Sequence, residues 1–483
     1  MRFNRVLLAT CPVKADQGSL RPNIGLGYLS QTLDDNRIAN EVIDMMLGYS
    51  FEDLVNKIKL FKPDLLGFNI FSNKYRTAYE VINNIKIVFP ELIVIIGGPH
   101  ISCLKSKVLE DCSGLDYGVI LEGENALLEL CSGKELKDIK NLIFRDNGQI
   151  KENEIREFVN DLDTISFPKY DKFEMEKYIR EKSLVSSRGC PFNCTYCAVG
   201  KVIGKKVRVR TPENVVDEIE YWYRKGFRQF SFQDDNFNYH KERIFNICNQ
   251  LEKRDLKEIF LRCAGARADK LDFELLKRMK EVGFKTIAIG VEGGNDKILK
   301  VLRKGEKFDV IDNAVKTACE LGYDVYLNFL LGSPEETPSD VEDSVRFALK
   351  YPIFYAEWSN IIPYPGTELY DWLKERNYLI KPPEEYLNFN STVSNDPVFE
   401  TPEMSIKVRK QLLKKTKGIK DKILKRAIIR RLKNRSIPWG IRHIMGYIVA
   451  SNIVSKLLFK NKLRFIADKA RFLLYMKTNK ING

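Results

Sequence analysis

The sequence predicts an α/β protein with a polar connector between two parallel-sheet units and a basic helical tail at its end. Three observations predict it. Short apolar runs alternate with amphipathic stretches over residues 3–132, and the same alternation resumes at Ser183. A polar interval separates the two. Positive charge is concentrated after residue 400, where 23 Lys and Arg face 3 Asp and Glu; the remaining 400 residues of a +14 chain therefore carry about −6. The expected parts are a doubly wound (flavodoxin-like or Rossmann-like) domain over 1–140, a linker over 141–180, a partial (β/α)6 TIM-like barrel over 181–400 and the tail over 401–483. A length of 483 residues exceeds what one compact core supports, in keeping with several units.

In the first unit, runs rich in Val, Ile and Leu lie at Arg5–Ala9, Glu41–Ile43, Leu65–Ile70, Ile93–Ile96 and Tyr117–Leu121. Helical periodicity marks Gly25–Leu33, Phe51–Phe61, Tyr75–Phe89 and Ala126–Leu130. This is the βαβ rhythm of a parallel sheet, whose ligands gather beyond the C-terminal strand ends. The loops there are Cys11–Asn23, Phe71–Lys74, Gly97–His100 and Glu122–Glu124. Asn147-Gly148 predicts a hairpin turn between Leu142–Arg145 and Gln149–Lys151. In the second unit, strands are expected at Ser183–Ser187, Gln229–Phe232, Phe260–Cys263, Thr286–Ile289, Val325–Leu330 and Glu357–Ile362. Helices between them are expected at Asn214–Arg224, Glu242–Lys253, Phe273–Val282, Val310–Leu321 and Ser339–Leu349. Such barrels carry their chemistry at the C-terminal strand ends.

The composition, 44% hydrophobic and 30% charged, is that of a globular protein. No run approaches the about 20 apolar residues of a membrane span, and Val6–Ala9 is too short for a signal peptide, so a cytoplasmic protein is expected. In the tail, Lys and Arg recur around Val408, Leu412, Ile419, Ile423 and Ile428-Ile429. A more apolar stretch follows over Ile441–Phe459, then Leu463–Tyr475. A solvated helix face and an interfacial segment on anionic lipid both fit this pattern. The second would place the protein peripherally on the inner membrane face. Nucleic-acid binding is not expected, because no recognisable motif accompanies the charge.

Seven of the ten cysteines are scattered and read as small buried residues. The other three, Cys190, Cys194 and Cys197, fall in the run Ser187-Arg188-Gly189-Cys190-Pro191-Phe192-Asn193-Cys194-Thr195-Tyr196-Cys197. Thiolates at this spacing suit an iron–sulfur cluster or zinc. Structural zinc takes four Cys or His ligands, and none of the three histidines (His100, His240, His443) lies near. Three cysteines on a four-iron cluster would leave one iron open to an exogenous ligand.

This run resembles the CxxxCxΦC motif of the radical S-adenosylmethionine (SAM) superfamily, with Tyr196 as the aromatic residue. Further resemblances follow in order at Gln233–Phe237, Ala264–Asp269, Gly290–Gly294, Leu331–Thr337 and Pro363–Thr367. The resemblance implies a [4Fe–4S] cluster on Cys190, Cys194 and Cys197 that reductively cleaves SAM to a 5′-deoxyadenosyl radical. It implies SAM contacts from Tyr196, from Asp234 or Asp235 to the amine, from Arg267 to the carboxylate and from Glu292 to the ribose. An electron donor of flavodoxin or ferredoxin type is implied as partner.

The first unit resembles the cobalamin (B12)-binding domains joined to such barrels, through Pro22–Leu29, Asp64–Gly67, Gly97-Gly98-Pro99-His100 and Leu121–Glu124. Ser72, Gly97, Gly98, Gly123 and Glu124 are the implied cobalamin contacts; glycines there let backbone approach a bulky ligand. Many relatives carry DxHxxG after the first strand, its His ligating cobalt. Here that loop reads Cys11–Gly18 without His, so cobalamin would bind with no protein axial ligand. His100 is expected in a loop near the ligand or facing solvent. The implied activity is cobalamin-dependent C-methylation of a small molecule or lipid; radical cyclisation or oxidation, and a non-catalytic cofactor sensor, are the alternatives.

Overall fold

The computed structural model of the chain describes residues 2–12, 20–73, 75–387 and 396–433. Five parallel strands form the heart of the first sheet: β1 (Arg5–Thr10), β2 (Ala39–Ile43), β3 (Leu65–Asn69), β4 (Ile93–Gly97) and β5 (Tyr117–Val119). Their order is β2-β1-β3-β4-β5, the flavodoxin-like doubly wound order, with its reversal between β1 and β3. The strands are buried on both faces, which is why they read as continuous rather than alternating apolar runs. The helix Phe51–Phe61 starts where Ser50 and Asp53 form a reciprocal capping box. Asn23 caps the helix Ile24–Asp35 by accepting from the Leu26 N–H.

The hairpin at Asn147-Gly148 forms between β6 (Leu142–Asp146) and β7 (Gln149–Glu152), with both turn residues at positive φ. It does not belong to the linker. β6 pairs antiparallel with β5, so the hairpin extends the first sheet to seven strands, and the connector is residues 153–180.

The second sheet has six parallel strands in chain order: β8 (Glu181–Leu184), β11 (Gln229–Phe232), β12 (Phe260–Ala266), β13 (Phe284–Glu292), β14 (Asp324–Leu331) and β15 (Tyr355–Asn360). Helices intervene, and the two edges are β8 and β15. The expected first strand, Ser183–Ser187, is divided. After β8 the chain turns into β9 (Ser187–Arg188), which pairs antiparallel with β10 (Arg208–Val209). Residues 189–207, with all three clustered cysteines, are the loop that this short pair closes.

One apolar core runs through both sheets. Leu8, Leu26 and Val119 of the first unit belong to the same contiguous cluster as Trp222, Phe230 and Phe232 of the second. The helix Ile406–Lys433 lies along β15 and covers that edge of the sheet. It buries Leu412, Leu413, Ile423 and Ala427, and Lys420 pairs with Glu357 of β15 at 2.6 Å. Lys415 pairs with Glu342 and Arg431 with Asp324. Part of the apolar face of residues 406–433 is thus spent on the protein, while Val408, Ile419, Leu424, Ile428 and Ile429 stay half-buried. Residues 434–483, with the apolar stretches 441–459 and 463–475 and with His443, lie outside the described residues. No helix among the described residues is long and apolar enough to cross a membrane.

Candidate functional site: a cysteine loop facing an interdomain cavity

Backbone constraints fix the cysteine loop. Gly189, at φ 99°, packs so closely that a Cβ would fall 2.2 Å from the Lys206 carbonyl oxygen. Cys190 N–H donates to Gly204 O and Cys197 N–H to Cys194 O, both at 3.1 Å. Thr195 joins the loop to two helices of the second unit, donating to Leu302 O at the end of Asp296–Val301 and accepting from the N–H of Leu369 in Glu368–Glu375. The Cys194 and Cys190 thiols lie near enough to Cys197 to raise its pKa further, after burial has done most of that work; it reaches about 11. Burial raises the other two as well. All three are therefore neutral thiols at pH 7 until a metal displaces their protons. Among the described residues no three Cys, His, Asp or Glu side chains stand gathered at metal-binding geometry. Even so, three soft donors on one pinned loop, with no histidine beside them, fit a three-cysteine cluster better than a closed zinc tetrahedron.

Around this loop the second sheet gathers four of the expected SAM contacts. β13 ends in a register shift between Gly290 and Glu292, and Glu292 takes a left-handed φ of 65°. A bulge and a strained residue at a strand end re-aim a side chain; here Glu292 points to Tyr196 and to Lys304. The Tyr196 hydroxyl is pushed well above its ordinary pKa, first by burial and then by Glu292. The Arg267 guanidinium stacks 3.5 Å from the centre of the Phe192 ring, inside the cysteine loop. Its donors already serve Asp269 (3.0 Å) and the Lys304 carbonyl (2.9 Å). Asp235 opens onto the neighbouring cavity; burial and then the Asp234 charge raise its pKa to about 6.

Asp234 does not fit an amine-binding role. Both its oxygens are taken by the turn between β8 and β9: Ser186 N–H at 2.7 Å, Ser186 Oγ at 2.5 Å and Ser187 Oγ at 2.7 Å. It shapes the entry to the cysteine loop instead. Two residues of this region escaped the sequence reading. Lys304 is buried with its Nζ 3.1 Å from Glu292 Oε1 and 3.6 Å from Glu306 Oε2. The Glu306 side chain is fully buried, yet Oε2 has no hydrogen-bond partner. Both lie in the loop before the helix Phe308–Glu320, and the one local signal is Gly305, at φ 70°.

A cavity of about 300 Å³ lies between the two sheets, at the C-terminal ends of β1, β3, β4 and β5. Its walls are mostly apolar, with Leu26, Phe68 and Ile96 on one side and Val185 and Ile203 on the other. Gly97, Gly98, Gly123 and Glu124 line it, and Asp235, Ser187 and Arg188 of the cysteine-loop side complete it. Ser72 is not among its lining residues. Ser72 is buried and lies 3.2 Å from His100 Nδ1. His100 is neither solvent-facing nor in a loop. It lies fully buried in the helix Pro99–Leu104, with Nε2 2.8 Å from the Tyr79 hydroxyl and its ring stacked on Tyr75. Burial lowers its pKa to about 4. No described histidine lines the cavity. A largely apolar cavity rimmed with glycine backbone fits a bulky ligand such as a corrinoid, which these residues would hold.

The thiol loop and the glycine-rimmed cavity thus share a wall between the two sheets. The Radical SAM superfamily model matches residues 184–348, and the B12 binding domain model matches residues 11–131. The chain thus carries a radical SAM domain with a B12-binding domain ahead of it. An uncharacterized methyltransferase of Pyrococcus horikoshii is 29% identical over 428 residues, covering 86% of this chain and 92% of that one. The cytidylyl-2-hydroxyethylphosphonate methyltransferase of Streptomyces wedmorensis is 26% identical, covering 72% of this chain and 76% of that one. Among solved structures, the cobalamin-dependent SAM radical enzyme OxsB, with aqua-cobalamin and SAM bound, superimposes with a TM-score of 0.75. It is 19% identical and covers 99% of this chain and 76% of that one. TsrM from Kitasatospora setae, a radical SAM methyltransferase with cobalamin and a [4Fe–4S] cluster bound, gives a TM-score of 0.68 at 20% identity, covering 78% and 75%. At these identities the two structures establish the shared fold.

Proposed function

We propose that this chain is a cobalamin-dependent radical SAM methyltransferase that acts on an unactivated carbon of a small molecule. The observation that carries the reading is the shared wall: Arg188, two residues before Cys190, lines the same cavity as Gly97, Gly98 and Gly123. When bound, the cluster would supply one electron to open the C5′–S bond of SAM, and the corrinoid would supply the transferred methyl group. Cys190, Cys194 and Cys197 would hold the cluster. Glu292 and Tyr196 fit the ribose end of SAM, and Lys304 and Arg267 bring positive charge to its carboxylate end. Asp235, which opens onto the cavity and is also met by the Gly189 backbone, is the acid that faces the amine. The apolar core behind the cavity excludes water from the reacting centre.

The same reading includes two partners. Lys201, Lys205 and Lys206 are exposed on the cysteine loop, and their side chains donate to a backbone carbonyl or an Asn rather than to an acid. This face suits an acidic one-electron carrier of the flavodoxin or ferredoxin kind. Residues 434–483, with ten Lys and Arg against one Asp, suit contact with an anionic membrane surface, which would bring a lipid substrate within reach.

A radical cyclisation is the second reading. It is favoured by the 27% identity over 354 residues to the anaerobic magnesium-protoporphyrin IX monomethyl ester cyclase of Cereibacter sphaeroides, 57% of whose length is covered. Cells with and without the chain, fed methyl-labelled methionine, separate the two. Methylation predicts a compound that carries the label only when both the chain and cobalamin are present. A changed compound without label would favour cyclisation and overturn methylation.

A further inference from the structure

Glu122 is the point at which the two domains and the cysteine loop meet. It lies in the turn after β5, where Leu121 takes a left-handed φ of 60° and donates its N–H to Ser102 Oγ. That strained turn directs Glu122 across the domain boundary. Glu122 Oε1 accepts from Arg188 Nη1 at 2.9 Å and from Arg208 Nη1 at 2.7 Å; Oε2 accepts from the Val159 N–H at 3.0 Å. Arg188 Nη2 reaches Glu124 Oε1 at 2.8 Å. Arg188 is the last residue of β9 and Arg208 the first of β10, so one carboxylate grips both arms of the loop that carries the cysteines. All four charged side chains are largely buried, with Arg208 only 2% exposed. Arg208 also donates to the carbonyls of Val159 and Ile203, which fastens the connector to the same point.

Surface ion pairs contribute little to stability, but a buried charge cluster held by several hydrogen bonds, here with Arg208 Nε alone left without a partner, specifies geometry. Glu122, Glu124 and Arg188 all line the interdomain cavity. Whatever fills that cavity therefore rests against the same side chains that hold the cysteine loop in place.

We propose that Glu122 is a positioning residue that sets the placement of the cluster relative to the ligand in the cavity. It lines the cavity but does not reach the cysteines; it acts on their loop through Arg188 and Arg208. The inference rests on the reading of the cavity as a corrinoid site. Within that reading, Glu122→Gln keeps one acceptor for the arginines and loses the charge that holds both. Glu122→Asp keeps the charge and withdraws it by one methylene, so the loop must follow or let go.

The test uses the full chain reconstituted with iron, sulfide and hydroxocobalamin, with iron and cobalt counted for each variant. Microwave power saturation of the cob(II)alamin electron paramagnetic resonance signal is compared with the cluster reduced and with it oxidised. A nearby reduced cluster speeds cobalt relaxation and raises the half-saturation power, an effect that falls steeply with separation. Wild type is expected to show that rise. Glu122→Gln, at wild-type iron and cobalt content, is expected to lose it, and Glu122→Asp to shift it. Hydrogen exchange of residues 189–207 in both variants is expected to quicken, which also reads the clamp in a variant that loses a cofactor. Unchanged saturation in fully loaded variants, or unchanged exchange in poorly loaded ones, overturns the positioning role. If wild type itself takes up no cobalt, the corrinoid reading fails and the positioning proposal falls with it; cobalt in wild type with indifferent variants leaves that reading standing.

Discussion

Gly97 and Gly98 both line the cavity, but the structure gives them different roles, and two substitutions expose the difference. Gly98 sits at φ 102° and ψ −175°, a conformation that side-chain-bearing residues avoid. A Cβ there would fall 2.9 Å from the Ile70 carbonyl oxygen and 2.7 Å from Asn69 Oδ1. Backbone strain of about 1–3 kcal/mol, together with overlap costing about 1–3 kcal/mol, gives a penalty of roughly 2–6 kcal/mol for Gly98→Ala. At about 2–4 °C per kcal/mol for a domain of this size, the melting midpoint of the first unit falls by roughly 4–24 °C. A Cβ on Gly97 would meet only the Val119 carbonyl oxygen, at 3.9 Å. Gly97→Ala therefore folds, with stability equal to wild type or higher by about 0.4–1 kcal/mol through the unfolded chain. Its methyl group occupies the cavity, and hydroxocobalamin affinity falls by about 1–2 kcal/mol, roughly five- to thirtyfold. Calorimetry of the apoprotein and titration with hydroxocobalamin read the two effects. The reasoning is refuted if Gly98→Ala melts with wild type, or if Gly97→Ala binds hydroxocobalamin as tightly as wild type does.

His100 gives a pH prediction. Its folded pKa is about 4 against an ordinary 6.5, so the unfolded chain takes up the proton first as pH falls. Stability is full above about pH 6.5 and is lost as pH falls towards 4, by about 3 kcal/mol. His100→Gln has no such group, and urea unfolding across this range shows a flatter curve for it; parallel curves would contradict the assignment. The C-terminal region gives another. A chain ending at Lys433 keeps the melting behaviour of the full chain but no longer sediments with phosphatidylglycerol vesicles at low salt. A chain ending before Ile406 uncovers β15 and loses the burial of Leu412, Leu413 and Ile423, about 1.5–3 kcal/mol each. Equal sedimentation of the full chain and the chain ending at Lys433 would remove the membrane proposal.

The sequence revealed the two-sheet plan because parallel strands are buried on both faces and leave unbroken Val, Ile and Leu runs. It showed the cysteine loop because a ligand set on one short segment is local information. The loop's surroundings were harder to read. Asp234 looked free until Ser186 and Ser187 were seen to take both its oxygens, a contact across 47 and 48 residues of chain. Lys304 and Glu306 carry no motif, and only the fold brings them to Glu292. His100 was misplaced because nothing local announces that Tyr75 and Tyr79, on a different helix, enclose it. The hairpin was recognised from Asn147-Gly148, but its pairing with β5 is a long-range choice that the turn does not encode. The basic helix left two readings open for a related reason: its apolar stripe fits lipid and protein equally well in isolation, and only the fold shows that residues 406–433 pack along β15.

The central claim is that Cys190, Cys194 and Cys197 hold a cluster that opens SAM. It is tested most directly by measuring 5′-deoxyadenosine after anaerobic reconstitution with iron and sulfide, reduction and addition of SAM. The account predicts 5′-deoxyadenosine from the wild-type chain, and neither the bound cluster nor this product from Cys194→Ala. A fully loaded wild-type chain that forms none, or a Cys194→Ala chain that forms as much as wild type, would contradict it.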